Sequence, residues 1–422
     1  MPSSPELEAG ISAADDELTS LTSDVAQAVG LAEGEAGIRQ VMRAIQHLQP
    51  ASTRSVSMRT GLPVPVVAAV SNELRARGLV TRDRPSRLTD RGQMLLGGEH
   101  GVADAEITCG LCHGYGVVVS AELAGLPERL TDLAAQAPPV NLTLDQSHCT
   151  PDTKLRRVLF LLRYSLLPAR DLLLIGDDDL MAVSVALAGA VLGEPLVRRL
   201  AVLDTSPEVL AYTGERLAAL GVSADLVQHD LRSPLPGQLR DAFDLVMTDP
   251  PYTTAGARLF LSRCVEGLRP GPGRAIAFSF GPKGPDETLD VQEAITAAGL
   301  TVQTMHRNFN DYLGAGIIAG RSNLYHLAST SRTTTVVSSH YGGPLYTADL
   351  RAADRIYKCS QCGTRQLVGP GAQWRTIAQL KQAGCPVCGS RRFRPLQLAA
   401  RAPATAAPPG RPGTAARRPA PG

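Results

Sequence analysis

The sequence predicts an α/β fold in which a largely parallel sheet is covered by helices on both faces. Between 151 and 332, short apolar runs such as DLLLIGDD and FDLVMTD alternate with segments of helical spacing such as PEVLAYTGERLAALG. Continuous apolar strands indicate a sheet that is buried on both faces, and strand–helix alternation indicates parallel order. With 422 residues, the chain has room for two or three domains.

Seven strands are predicted in this segment. The first five are DLLLIGDD, RRLAVLD, ADLVQHD, FDLVMTD and GRAIAFSF, and the helix LMAVSVALAGAVLG follows the first of them. A helix over about 286–299 comes next, and LTVQTMHRNFN and SNLYHLAST supply the last two strands. We therefore predict one α/β domain over 151–332.

Composition argues against a membrane or secreted protein. The chain is 44% hydrophobic and 19% charged, with a net charge of +2. Its N-terminal stretch is acidic and lacks the apolar region of a signal peptide, and the apolar run VLFLLRYSLL is interrupted by Arg163. Six of the eight cysteines lie in CxxC pairs, which in a non-secreted chain indicates metal rather than disulfides. We expect a cytoplasmic protein.

The N-terminal part is predicted to be a mobile leader over 1–35 and a winged helix-turn-helix over 36–95. Three short segments of helical spacing precede GLVTRDRPSRLTDRG, which has the pattern of a two-stranded wing with a turn at Pro85. Two interpretations remain for this module: contact with DNA phosphates, and docking or dimerisation with a solvated basic face. The arginines available for phosphate contact are Arg54, Arg59, Arg75, Arg77, Arg82, Arg84 and Arg87.

Residues 96–150 are predicted to be a linker that carries a CxxCH string, formed by Cys109, Cys112 and His113. Haem attachment through this string is disfavoured because that chemistry belongs to exported proteins. A metal knuckle and a tight turn with two unligated thiols both remain open. The further ligands that a knuckle would draw on are His100, His148 and Cys149.

The most specific local signal is the pair of CxxC motifs within 356–397, YKCSQCG and CPVCGSRRF, which are separated by 22 residues. Such a pair closes a tetrahedral zinc site, and four thiolates leave no open position for catalysis. A structural, zinc-ribbon-like module is therefore predicted, after a linker over 333–355 and before a disordered tail over 398–422. Its predicted ligands are Cys359, Cys362, Cys385 and Cys388.

Acidic residues collect where the predicted strands end. Asp204, Asp230 and Asp249 each close a strand, and a run over 177–179 follows Gly176 at the end of the first. Ligands of open α/β sheets bind at the carboxyl ends of the strands, so these acids are expected to line one crevice unless they are ordinary turn residues. An anion-binding strand end normally continues with glycines; three aspartates instead favour a cation.

This pattern resembles class I AdoMet-dependent transferases. The resemblance implies a Rossmann-like domain in which Asp204 holds the ribose hydroxyls and Asp230 lies near the adenine amine. AdoMet ends in a carboxylate, which the acidic run would repel by about 1 kcal/mol per contact in water and about 4 at an effective dielectric of 20. Decarboxylated AdoMet ends in an ammonium group, and polyamines carry several, so both suit this loop.

Four motifs follow one another along the chain: DQSHCTPDT, GDDDL, FDLVMTDPPYT and HRNFNDYLGAG. Together, and in this order, they resemble the branched-chain polyamine synthases, the bis(aminopropyl)spermidine synthase family. The resemblance covers about 36–332, because that family also carries an N-terminal winged helix. It implies transfer of an aminopropyl group from decarboxylated S-adenosylmethionine to the central nitrogen of spermidine, once or twice. The Cys₄ module and His113 depart from the family pattern and leave the acceptor more open than the donor.

The resemblance also implies roles for individual residues. Asp178 is predicted to be the base, because an amine with a pKa of about 10 must lose a proton before it attacks. Asp177 and Asp249 are predicted to assist as amine clamps, and Gly176 with Asp204 and Asp230 to bind the donor. The residues predicted to contact the acceptor are Asp145, Asp179, Pro250, Pro251, Tyr252, Asn308 and Asp311.

Two other functions compete with this one. DPPY is also typical of methyltransferases acting on the adenine amine, where Tyr252 would stack on a flipped base and the winged helix and zinc module would hold nucleic acid. The acidic run argues against that assignment, and nucleic-acid binding through the winged helix is not favoured. A polyamine-sensing regulator is the second alternative. A homo-oligomer is expected, with the winged helix and zinc module as candidate surfaces.

Overall fold

The computed structural model describes residues 5–97, 109–112, 114–141, 145–313, 320–346, 355–369, 372–374 and 377–396. Its contacts divide the chain into an N-terminal unit, Met1–Ala348, and a C-terminal unit, Asp349–Gly422. The predictions made for His100, His113 and the tail lie outside the described residues. None of the described helices is both long and apolar enough to cross a membrane.

The N-terminal unit begins with a helix where we predicted a mobile leader. Buried Leu18, Thr22 and Val25 recur at helical spacing on α1, and this stripe explains why the segment packs instead of remaining free. Ser52 caps α3, and Gly61 ends it with a left-handed φ of 77°. The bounds are α1 Pro5–Val29, α2 Gly34–Leu48, α3 Thr53–Thr60, α4 Val64–Ala76 and α5 Asp90–Gly97.

The segment between α4 and α5 is the one predicted to form a wing. Single antiparallel bridges join Val80 to Leu88 and Ala51 to Ser86. No longer strand pairing is present among the described residues of this segment. The winged helix-turn-helix therefore stays a prediction.

The α/β prediction is confirmed, with seven strands in one sheet. The strands are β1 Asp171–Ile175, β2 Arg199–Asp204, β3 Asp225–Gln228, β4 Leu245–Thr248, β5 Ala275–Phe280, β6 Leu300–Asp311 and β7 Arg321–Ser329. They lie in the order β3-β2-β1-β4-β5-β7-β6. The sheet is mixed, because β7 runs antiparallel to both β5 and β6. Only nine residues, 312–320, separate β6 from β7. A parallel neighbour needs a crossover of about a dozen residues or more, so β7 returns beside β6 in the opposite direction.

Helices cover both faces of the sheet, which is why the central strands are buried along their whole length. One apolar cluster packs α6 to α9 against one face, and a second packs α10 and α11 against the other. Because β1 pairs with both β2 and β4, the crossovers leave β1 in opposite directions, and a crevice opens at the carboxyl ends of these strands. The helices are α6 Leu126–Ala135, α7 Pro151–Arg163, α8 Met181–Leu192, α9 Pro207–Ala219, α10 Thr254–Gly267 and α11 Pro285–Ala297.

The C-terminal unit contains a three-stranded antiparallel sheet and one short helix. Its strands lie in the order β10-β8-β9. Leu380 of the helix is buried, as are Cys359 and Cys385. The elements are β8 Arg355–Cys359, β9 Arg365–Val368, α12 Ile377–Ala383 and β10 Phe393–Pro395.

Candidate active site

The backbone turns sharply where β1 ends, and the first aspartate of the acidic run holds this turn to the next helix. Gly176 has a left-handed φ of 72°, which glycine adopts without strain. The two carboxylate oxygens of Asp177 accept hydrogen bonds from the amides of Met181 (2.6 Å) and Ala182 (3.1 Å). Burial raises the pKa of Asp177 to about 7, although these two hydrogen bonds act in the opposite direction. Asp177 therefore caps α8 and is not free to clamp an amine.

The third aspartate, Asp179, forms a buried ion pair. Its Oδ2 lies 2.5 Å from Nη1 of Arg157, and its Oδ1 accepts a hydrogen bond of 2.5 Å from the amide of Cys149. Lys154, which is fully buried, donates to the carbonyl oxygen of Asp179. Burial alone would raise the pKa of Asp179, but Arg157 and Lys154 lower it below the usual value. This neutralised carboxylate is not the free acceptor contact that we predicted.

Arg157 connects the acidic run to the end of β4. It is 1% exposed, and its guanidinium also reaches Asp249 Oδ2 (2.7 Å), the Tyr312 hydroxyl (2.9 Å) and Asn310 Oδ1 (2.9 Å). Every nitrogen of the guanidinium thus has a partner with a negative or partly negative oxygen. A buried charge with this many partners is held in one position.

Asp249 follows β4 directly and lies in a network of hydroxyl groups. The Tyr252 hydroxyl is 3.0 Å from Oδ1, and the Tyr312 hydroxyl donates to Oδ2. Burial raises the pKa of Asp249, while Arg157 acts in the opposite direction. The two tyrosine hydroxyls lie 2.9 Å apart, and the Tyr252 ring packs against Phe280. Pro250 and Pro251 are buried beside them.

Asp178 is the one member of the acidic run that is partly exposed. Its Oδ2 accepts a hydrogen bond of 3.1 Å from the Ser147 amide, and its carbonyl oxygen lies 2.6 Å from Nδ1 of His148. Burial, and then the neighbouring charges of Asp179, Asp204 and Asp249, raise its pKa well above the usual range. Asp178 is thus a partly exposed carboxyl group of the crevice whose proton affinity is increased, as expected for a general base.

The two acids predicted to bind the donor differ in their surroundings. Asp204 is buried at the end of β2, where its carboxylate accepts from the amides of Asp177 and Ser206, each at 2.8 Å. Asp230 is exposed and accepts from the Arg232 amide. Strand β3 ends at Gln228, two residues before the end that we predicted at Asp230. The amide of the next residue, His229, donates a hydrogen bond to the Asp204 carbonyl oxygen.

Two predicted acceptor contacts, Asn308 and Asp311, lie elsewhere or are already engaged. The Asn308 side chain donates to the Met58 carbonyl in the helical N-terminal region, so it does not join the cluster around Arg157. Asp311 pairs with Arg156 and Arg321. Asp145 has a left-handed φ of 56° two residues before Ser147, and its predicted contact with the acceptor stays a prediction.

Four residues of the site were missed in the sequence. On α7, Thr153, Lys154, Arg157 and Leu161 are all buried and follow helical spacing. Two cations on the apolar stripe of a helix were the available signal, because Lys and Arg are almost never fully buried unless paired. The missed residues are Lys154, Arg157, Asn310 and Tyr312.

The C-terminal cysteines form a cluster that could hold a metal ion. All four sulfurs lie within 4.8 Å of one another, with separations of 3.6 Å between Cys359 and Cys388 and 3.5 Å between Cys362 and Cys385. Bonds of about 2.3 Å in a tetrahedral zinc site place the sulfurs about 3.8 Å apart. The spacing therefore fits a tetrahedral metal.

The other CxxC pair gains no further ligand among the described residues. Only the four C-terminal cysteines form a group of three or more potential ligands there. Both ring nitrogens of His148 face carbonyl oxygens, of Asp178 and Pro138. Cys149 is fully buried beside Lys154, and burial raises its pKa to about 12. His148 and Cys149 are therefore not ligands of a knuckle with Cys109 and Cys112, contrary to one of our interpretations.

An open α/β sheet with acids and a buried arginine at its switch point defines the class of the protein: it is an enzyme of the α/β transferase type. Residues 125–342 match the family model described as the branched-chain polyamine synthase A C-terminal domain. The chain therefore belongs to the branched-chain polyamine synthase family.

Three comparisons show how far the similarity extends. An uncharacterized protein of Methanocaldococcus jannaschii is 31% identical over 89% of this chain and 92% of its own length. The N(4)-bis(aminopropyl)spermidine synthase of Thermus thermophilus is 27% identical over 71% of this chain and 84% of its own. The crystal structure of the branched-chain polyamine synthase from the same organism, in complex with N4-aminopropylspermidine and 5'-methylthioadenosine, has a TM-score of 0.63 at 22% identity. It covers 79% of this chain and 98% of that one, and so has the same fold.

Proposed function

We propose that this protein transfers the aminopropyl group of decarboxylated AdoMet to an amine nitrogen of a polyamine such as spermidine, giving a branched polyamine. The observation that carries the proposal is the partly exposed Asp178, whose raised pKa suits a base for an ammonium substrate. The family supports the proposal, because relatives are named N(4)-bis(aminopropyl)spermidine synthase. The 5'-methylthioadenosine in the solved relative is the by-product that loss of an aminopropyl group would leave.

The donor is proposed to lie over the ends of β1 and β2. Gly176 allows the donor to approach the backbone closely. The Asp204 carboxylate accepts hydrogen bonds from two backbone amides and has further acceptor capacity for the ribose hydroxyls. Asp230 is proposed to lie near the adenine amine. The sulfonium and the ammonium of the donor would then lie in a crevice where acids outnumber cations.

The acceptor is proposed to bind between Asp178 and the wall formed by Tyr252, Pro250 and Pro251. The predicted amine clamp at Asp249 is not retained, because both of its carboxylate oxygens already accept hydrogen bonds. The acceptor nitrogen attacks the aminopropyl methylene carbon that is bound to the sulfonium. The new C–N bond forms as this C–S bond breaks, and its electron pair remains on the sulfur of the neutral thioether. Asp178 takes the proton of the nitrogen. A carboxylate alone would raise the pKa of the amine, so partial desolvation and positioning in the crevice must assist the proton transfer.

The contacts favour this reaction over methylation of adenine. In that alternative, Asp249 would accept from a base amine and Tyr252 would stack on the base. Here both carboxylate oxygens of Asp249 already accept from Arg157 and two tyrosine hydroxyls. The Tyr252 hydroxyl is held by the same network.

Donor binding tests the proposal. By calorimetry on zinc-loaded protein, decarboxylated AdoMet is expected to bind more tightly than AdoMet, by on the order of tenfold or more. The carboxylate that only AdoMet carries would be repelled by about 1–4 kcal/mol in one contact at about 4 Å. Mass spectrometry is then expected to detect branched polyamine. Tighter binding of AdoMet, with methyl transfer to nucleic acid, would replace the proposal with the methyltransferase alternative.

The Cys₄ cluster is proposed to be a structural zinc site. Cys385→Ser is expected to reduce bound zinc from one ion per chain to none, measured by atomic absorption, and to open the C-terminal unit to proteolysis because its apolar core is small. Cys112→Ser is the matched control and leaves the zinc content unchanged. Loss of zinc in the control would mean that Cys109 and Cys112 also bind metal.

A further inference from the structure

The C-terminal segment differs sharply in charge from the rest of the chain. Residues 355–422 contain 12 Lys and Arg and no Asp or Glu, whereas residues 1–354 contain 30 Lys and Arg and 40 Asp and Glu. Four thiolates with one Zn²⁺ would add only two negative charges. Since this segment has no carboxylate side chain, no ion pair within it neutralises its cations.

Three of these cations lie side by side on the sheet of the C-terminal unit. Strand register places Arg394 of β10 opposite Lys358 of β8, and Lys358 opposite Arg365 of β9. Directly opposite residues share one face of a sheet, about 5 Å apart. Arg365 and Arg394 are exposed and Lys358 is half-buried. We call these three residues the cationic row.

The cationic row is costly unless an anion faces it. Like charges directly opposite each other destabilise a sheet, and residues 355–422 supply no acidic side chain to relieve them. Leu367, two residues after Arg365 on β9, lies on the same face and is 45% exposed. The face therefore combines a line of positive charge with an apolar side chain, which suits an extended polyanion with apolar parts.

We propose that the cationic row binds the sugar–phosphate backbone of nucleic acid without regard to base sequence. Duplex DNA carries one negative charge per about 1.7 Å of helix axis, so its phosphates are spaced closely enough to meet adjacent cations of the row. The rest of this chain is a less suitable partner, because the acids of residues 1–354 are interspersed with 30 cations. Contacts to phosphates position a protein on nucleic acid but do not read bases.

The test measures binding of a short fluorescent duplex DNA to full-length, zinc-loaded protein by anisotropy at several salt concentrations. The row variant is Lys358→Gln/Arg365→Gln/Arg394→Gln. Its affinity is expected to fall on the order of tenfold to a hundredfold, and the slope of log K against log salt to decrease in magnitude by about 2.7, or 0.9 for each lost phosphate contact. Zinc content and aminopropyl transfer are expected to remain unchanged.

The matched control removes equal charge from exposed positions of the same unit outside the row, as Lys381→Gln/Arg391→Gln/Arg392→Gln. It is expected to keep most of the affinity and the slope. Equal losses in the two variants, or unchanged binding by the row variant, would overturn the proposal, as would row-dependent binding to phosphatidylserine vesicles without DNA binding. If the row variant loses zinc, Arg394→Gln alone decides the matter, with an expected slope change of about 0.9.

Discussion

Asp178→Asn is expected to lower kcat by about 10²–10⁴-fold while making the folded protein more stable at neutral pH. The fall in rate follows from loss of the base. The gain in stability follows from the raised pKa of Asp178, because burial and three neighbouring acids penalise its charged form. A carboxyl group whose folded pKa exceeds its unfolded pKa costs stability as the pH rises above about 4, and the penalty is complete above the folded pKa. Turnover with spermidine and urea unfolding measure the two effects.

The opposite signs of these two effects separate a catalytic role from a structural one. Asp241→Asn is the matched control, because Asp241 is exposed and its left-handed φ of 53° also suits asparagine. It is expected to change neither quantity. In the wild type, the acidic limb of the kcat/KM profile is expected above pH 4, the ordinary range of a carboxyl group. Normal turnover by Asp178→Asn would exclude Asp178 as the base.

Arg157→Met is expected to reduce the free energy of unfolding by about 3–5 kcal/mol. The substitution fills a similar volume but leaves Asp179 and Asp249 without their shared cation in a buried site. Removing one partner of a buried pair costs more than the pair contributes, because the remaining charge is desolvated and unpaired. Urea unfolding at neutral pH gives the difference.

Two further variants test the cause of this loss. Arg157→Met combined with Asp249→Asn is expected to recover part of the stability, because Asp249 is then uncharged and Asp179 keeps the neighbouring charge of Lys154. Arg156→Met, on the adjacent position of α7, is expected to cost less, because Asp311 keeps its ion pair with Arg321. Equal destabilisation by Arg156→Met and Arg157→Met would contradict the role assigned to the buried ion pairs.

The central part of the fold could be predicted because its signals are local. Apolar strands of four to six residues alternate with helices, and each strand of the parallel part lies where its apolar run predicts. The direction of β7 depends on what lies between it and β6, which strand pattern alone does not specify. Helix α1 was missed because the acidic, polar start of the sequence resembles a free terminus, although Leu18, Thr22 and Val25 recur at helical spacing.

The site was predictable in place but not in detail. The strand-end acids indicate a crevice at the carboxyl ends of the strands. The structure links the acidic run to Asp204 through the Asp177 amide, and to Asp249 through Arg157. The sequence could not show that Asp179 is neutralised, because its partner Arg157 lies 22 positions earlier on a different element. The three aspartates therefore do not form one cation site, contrary to our prediction: Asp177 and Asp179 are engaged, and Asp178 carries the partly exposed carboxyl group of the run.

The three aspartates of the GDDD motif consequently have three different roles. Asp177 caps α8, Asp179 is a buried counter-ion of the Arg157 guanidinium, and Asp178 is partly exposed. Each position thus tolerates a different set of changes. We expect position 179 to vary only together with position 157 among family members, while position 177 can vary with any side chain that accepts from the first amides of α8.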